Sequence, residues 1–287
     1  GKVVDYATRL SRALHVKGLM NIQFVVDGED VYILEVNPRA SRTIPYLSKI
    51  TGVPMVNVAT KVMVGHTLKE LGRSGGLYPE TSHVAVKAPV FSFAKLISVD
   101  ISLSPEMKST GEIMGVDPTF EGALYKAMVA SGLDVDLTGA MIVTVADQDK
   151  AEALPVIRGF KELGFEIYAT GGTCSYLQGK GMNATRVMKI SEGTPNLLDL
   201  IRTGKVNLLL NTLSPDKTVE KEAARIRRCS VEHSVPCLTS LDTAAALLYA
   251  LRAKASGRSF ESLALTDYDV GKKPEIRSRN PRVTTGC

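Results

Sequence analysis

Two groups of residues have the types and spacing to do chemistry. In the segment Val31 to Val36, Glu35 stands two residues before Asn37, and side chains two apart in a strand leave the same face. A carboxylate and an amide oxygen on one face suit a hard, oxygen-seeking cation such as Mg²⁺. Gln23, in the preceding β-rich run, falls roughly opposite Glu35 and adds a third oxygen. Pro38 stops the strand, and Arg39 and Arg42 follow with guanidinium forks matched to phosphate or carboxylate oxygens. Taken alone, Glu-x-Asn is more often the polar side of an ordinary exposed hairpin.

The second group centres on Thr170-Gly171-Gly172-Thr173, between the strand-like Glu166–Ala169 and a helical stretch. A glycine-rich strand-to-helix turn offers free N–H groups and the positive end of a helix dipole, so it attracts anions; a purely structural turn is the alternative. Lys150, Lys189 and the pair Asn211-Thr212 fall at ends of neighbouring strands and helices, where open α/β sheets place ligands, and cationic and amide groups there suit a nucleotide phosphate.

These groups need elements to hold them. Residues 3–17 carry apolar positions at helical spacing and Gly18 closes them. The runs Asn21–Val26 and Val31–Val36 flank Asp27-Gly28-Glu29-Asp30, which predicts a hairpin whose Tyr32, Leu34 and Val36 form an apolar face. A helical, apolar stretch over 45–65, a strand over 83–90, an irregular stretch over 100–117 and a helix over 119–130 follow. Beyond about 136 strands and helices alternate, which argues for a parallel sheet covered on both faces. The expected organisation is therefore 1–136, a doubly wound domain over 137–256, and a flexible tail over 257–287.

The composition is that of a globular protein, 44% hydrophobic and 23% charged over 287 residues, with a formal charge of +5. The basic residues are scattered rather than gathered with aromatics, which argues against nucleic acid. No stretch approaches a membrane span. Cys174, Cys229, Cys237 and Cys287 show neither zinc spacing nor disulfide density, so a reducing, cytoplasmic setting is expected. The four histidines share no ligand spacing and read as structural. The chain opens on Gly1 without an initiator Met, and is expected to be a piece of something longer.

The run Glu35-Val36-Asn37-Pro38-Arg39-Ala40-Ser41-Arg42 is close to the signature of the ATP-grasp enzymes and most resembles the large subunit of carbamoyl-phosphate synthase. Thr51-Gly52-Val53-Pro54 and the segment Pro105 to Gly115 resemble later parts of that subunit. The resemblance implies that Gln23, Glu35 and Asn37 hold Mg²⁺ or Mn²⁺ on ATP, and that Arg39 and Arg42 bind the anionic intermediate. Residues beyond 136 resemble the methylglyoxal-synthase-like regulatory domain of the same family. Lys150, Thr170, Gly171, Gly172, Thr173, Lys189, Asn211 and Thr212 are then expected to bind an effector such as UMP or IMP. Leu213 departs from the hydroxyl residue that many relatives carry there, which bears on effector identity.

The fold implied is α/β and α+β: the C-terminal part of an ATP-grasp domain followed by a doubly wound methylglyoxal-synthase-like domain. The activity implied is that of a ligase in pyrimidine and arginine biosynthesis, working as an oligomer with a glutaminase small subunit. The ATP-grasp lysine and adenine pocket are not found in residues 1–136, so the 287-residue chain is expected not to synthesise carbamoyl phosphate alone. A free-standing nucleotide-sensing module and a phosphate-handling lyase or cyclohydrolase are the competing readings. Ser191-Glu192-Gly193-Thr194-Pro195-Asn196 lacks the catalytic Asp of methylglyoxal synthase, which argues against the lyase.

Overall fold

The computed structural model describes residues 1–73, 75–93, 101–102, 106–258, 260–264 and 267–268. Packing divides the chain into two compact units, one of 1–83 with 263–287 and one of 84–262.

In the first unit, α1 (Lys2–Ala13) leads into the antiparallel hairpin β1 (Asn21–Asp27) and β2 (Asp30–Asn37), then α2 (Thr43–Thr51) and α3 (Met55–Met63). The expected single helix over 45–65 is two, because Gly52 adopts the left-handed conformation (φ 67°) and Pro54 follows, together stopping α2. Between Gln23 and Phe24 the register slips: Gln23 faces Glu35 but Phe24 faces Ile33, so Leu34 is the extra residue of a bulge. The strict alternation expected for β2 therefore fails at Leu34, and Tyr32 and Leu34 do not form a covered apolar face: they are 54% and 63% exposed.

The second unit opens with the antiparallel pair β3 (Val84–Val90) and β4 (Gly111–Asp117), followed by α4 (Phe120–Ala130). Residues 111–117, expected to be irregular, form β4 because β3 supplies hydrogen-bond partners along its whole length. Its Gly115 has a packing reason: a Cβ there would lie 2.0 Å from the Ala123 carbonyl oxygen, so only glycine lets α4 lie this close. Pro105, at the head of the family-like segment, lies outside the described residues.

Five parallel strands then build one sheet, β5 (Gly139–Thr144), β6 (Phe165–Thr170), β7 (Thr185–Val187), β8 (Val206–Asn211) and β9 (Cys237–Leu238), in the order β7-β6-β5-β8-β9. Between them run α5 (Lys150–Glu162), α6 (Gly171–Gly179), α7 (Leu197–Arg202) and α8 (Lys217–Glu232), and α9 (Leu241–Ala255) follows β9. Alternation along β5 sends Met141 and Val143 to one face and Ile142 to the other. The first face is covered by Leu124 and Met128 of α4, Ile157 and Phe160 of α5, Leu177 of α6 and Leu247 and Leu251 of α9. The second is covered by Leu197 and Ile201 of α7 and Ile226 and Cys229 of α8. Phe160 and Phe165 meet edge-on, centroids 5.5 Å apart, a geometry that contributes about 1 kcal/mol beyond burial.

The packing does not divide near 136, since α4 and Val135 belong to the core of the five-stranded sheet. Among the described residues after 257, Phe260 packs on Tyr125 at 4.6 Å, and Tyr268 is buried against His83 at 5.5 Å. Residues 269–287 of the expected tail, Cys287 included, lie outside the described residues.

Candidate functional site

The chain runs outward from β5 to β6 and β7, then returns to the other side of β5 to form β8 and β9. The point of reversal is between β5 and β8, and their carboxyl ends separate into a crevice there. A cavity of about 460 Å³ occupies it, within the ~300–1,000 Å³ typical of small-molecule sites. Lys150, Thr170, Gly172, Thr173, Lys189, Asn211 and Thr212 all line it, and Gly171 starts α6 at its edge. The starts of α5, α6 and α8 all reach this cavity, so three helix dipoles direct positive ends toward it.

The residues brought together have different jobs. The Lys150 ammonium bonds Asp147 at 2.6 Å, and it lies 3.4 Å from where a Cβ on Gly172 would be, so it stands over the start of α6. That hydrogen bond, reinforced by the charges of Lys150 and Lys189, holds the exposed Asp147 carboxyl below the usual carboxylate range. Thr173 is buried and its hydroxyl lies 3.4 Å from both the N–H and the carbonyl of Val145. The Thr212 hydroxyl accepts the Ala146 N–H at 2.9 Å, tying the end of β8 to the end of β5. Asn211 is also buried, donating to the Thr144 hydroxyl at 2.5 Å and accepting from Arg227 at 2.8 Å. Thr173, Thr212 and Asn211 thus each tie together the walls of the crevice. The other lining carboxylates are held by donors as well: Asp216 caps α8 at Thr218 and Val219, and Glu222 takes the backbone and hydroxyl of Ser191. Asn196 does not line the cavity; its side chain caps α7 through the Leu198 N–H.

In the first unit the bulge at Leu34 leaves the motif's end regular. Gln23 sits directly opposite Glu35, and Asn37 lies two residues on, with its amide donating to Glu35 Oε1 at 2.8 Å. The Arg39 guanidinium bonds the Ala40 carbonyl at 3.0 Å, and Arg42 occupies the residue before α2. Among the described residues no three or more His, Cys, Asp and Glu side chains group as a metal site.

Two family models match the chain. The carbamoyl-phosphate synthase L chain, ATP binding domain matches residues 2–71, and the MGS-like domain matches 152–239. Together they match a C-terminal fragment of a carbamoyl-phosphate synthase large subunit. The first match contains Gln23, Glu35, Asn37, Arg39 and Arg42, and makes that region part of an ATP-grasp ligase domain that uses ATP. The second contains every crevice residue singled out in the sequence except Lys150, which precedes it by two residues. No helix among the described residues is long and apolar enough to cross a membrane.

Thr144, Asp147, Gln148, Ser214, Glu222 and the buried Arg227 beneath the crevice carry no motif in the sequence. Asp147 had a local signal, standing three residues before Lys150. Arg227 had none: one arginine in the polar stretch Arg225-Ile226-Arg227-Arg228 is indistinguishable from its neighbours until α8 is docked. Strand β7 and helix α7, three and six residues long, were too short for periodicity to find.

Proposed function

We propose that the crevice of the MGS-like domain is an effector site for a nucleotide such as UMP or IMP, regulating carbamate phosphorylation by the ATP-grasp region. The observation that carries this reading is the convergence of Lys150, Lys189, Thr170 and the Gly171-Gly172 turn on one cavity at the strand-order reversal. A phosphate there meets two ammonium groups and the N–H groups opening α6, while the cavity beyond accommodates a sugar and base. In the first unit, Glu35 with the amide oxygens of Gln23 and Asn37 fits a divalent cation that takes its remaining oxygens from nucleotide phosphates. Mg²⁺ or Mn²⁺, when bound there, offsets charge developing on the transferred phosphoryl group. Arg39 and Arg42 orient the anionic carbamate and carbamoyl phosphate through guanidinium hydrogen bonds.

The reaction served is ATP-dependent formation of carbamoyl phosphate from bicarbonate and ammonia released from glutamine by a glutaminase small subunit, for pyrimidine and arginine biosynthesis. The setting is a cytoplasmic oligomer. The 287-residue chain alone does not complete this reaction, and carbamoyl phosphate formed from Mg-ATP by the purified chain would overturn that statement. Calorimetric titration with UMP and IMP tests the effector site: binding is expected, with Lys150→Ala and Lys189→Ala each weakening it about tenfold, the loss of one charged hydrogen bond. The capping role of Asn196, where the lyase needs a free carboxylate, weighs against catalysis on dihydroxyacetone phosphate; turnover of that compound would reverse this.

A further inference from the structure

The Arg227 side chain is wholly buried, 0% exposed, and no step of the proposed function uses it. It reaches from α8 toward the floor of the crevice, donating to Asn211 Oδ1 at 2.8 Å and pairing with Glu220. Glu220 in turn accepts the Ser214 N–H at 3.1 Å and so holds the loop between β8 and α8, whose Ser214, Pro215 and Asp216 line the cavity. A buried charge is costly unless it is paired and hydrogen-bonded, and this one is held at the back of a site proposed to take an anion.

We infer that Arg227 is a positioning residue that sets which way hydrogen bonds run into the crevice. A guanidinium only donates, so the Asn211 atom facing it has to be the carbonyl oxygen. The Asn211 amide nitrogen then points to Thr144 Oγ1, 2.5 Å away, and that oxygen accepts. With its oxygen accepting from Asn211, the Thr144 hydroxyl keeps its own hydrogen to give, and Thr144 lines the cavity. Arg227 thus forces an O–H donor to be presented where the oxygens of a phosphate-bearing ligand sit. With a neutral group that both donates and accepts in place of Arg227, either orientation of the Asn211 amide is satisfied, and Thr144 presents donor and acceptor indifferently. Asn211 becomes a relay in this arrangement.

The inference rests on the effector reading, and the experiment separates the two. UMP and inorganic phosphate are titrated calorimetrically into the full 287-residue chain, with thermal melting recorded for every variant. Arg227→Lys keeps an obligate donor and is expected to bind UMP within about threefold of the unsubstituted chain. Arg227→Gln keeps a hydrogen-bonding side chain of similar reach but donates or accepts, and is expected to lose about tenfold, the worth of one donor to a charged group. Adding Thr144→Val to Arg227→Gln is expected to cost little more, because both act through the same hydroxyl. Equal affinities for the Lys and Gln variants, or losses that simply add, overturn the relay. If Arg227→Gln does not fold, Thr144→Val alone decides: binding within twofold of the unsubstituted chain overturns it, and a loss of about tenfold supports it. An unsubstituted chain that binds neither UMP nor phosphate overturns the effector reading itself, and the relay with it.

Discussion

At the residue scale the crevice sets internal partners against the ligand proposed for it. Asp147 holds the Lys150 ammonium at 2.6 Å while lying fully exposed itself, so on the effector reading an incoming phosphate shares that ammonium with a competing carboxylate. Asp147→Asn removes the competing charge and is expected to tighten phosphate binding several-fold, measured by the same calorimetry; unchanged or weaker binding would mean that Asp147 orients Lys150 for the ligand. His83 presents the reverse case, a titratable group without a strong partner. It is buried, no hydrogen bond of good geometry from the described residues reaches either ring nitrogen, and burial pulls its pKa below the usual range, the Ile50 backbone only partly opposing this. A histidine depressed in the folded state contributes stability that is present above its unfolded value of about 6.5 and is lost as pH falls through the lower folded value. Thermal melts from pH 8 to pH 5 should therefore show a declining midpoint, and His83→Phe, which cannot be protonated, should flatten that decline.

At the scale of elements, what positions each site is a close approach or an irregularity rather than propensity. The bulge at Leu34 lets β1 and β2 stay paired while Gln23 remains opposite Glu35, so the face proposed to hold the cation survives a slip that redirects the residues before it. On the other unit, β4 meets α4 through Gly115, where any side chain collides with the Ala123 carbonyl and the Ala127 amide at 2.5 Å. Both partners are backbone and cannot rotate away. Gly115→Ala is expected to destabilise by about 3 kcal/mol in denaturant titration, the cost of overpacking a tight core contact. A change below 1 kcal/mol would show that α4 shifts without penalty.

For the whole molecule, the division at 83/84 makes a claim about folding. Helix α4 completes the cover on one face of the parallel sheet, placing Leu124 and Met128 beside Leu247 and Leu251 of α9. A chain of residues 84–262 should therefore unfold cooperatively on its own. A chain of 137–256, cut where motif and texture suggest, leaves part of that face in water; losing about 3 kcal/mol of apolar burial lowers its melting midpoint by roughly 10 °C. Equal midpoints for the two would show that α4 is an attachment and not part of the core.

The sequence by itself determined the family, the alternation that makes a parallel sheet, and the residue types at the carboxyl ends of its strands. Those signals are local: Glu35 to Arg42 is one run, Thr170 to Thr173 one turn, and Asn211-Thr212 one strand end, each legible without knowing what lies across from it. Tertiary structure decided the rest, because it depends on partners distant in the chain. That Asn211 turns its amide to Thr144 is set by Arg227, sixteen residues on and buried only when α8 docks. That β4 is a strand, although its Gly111 and Gly115 read as loop, is set by β3, and that α4 belongs to the second unit is set by α9. Hydrogen-bond direction, register and core membership are properties of pairs, and spacing along one segment carries no record of the other member.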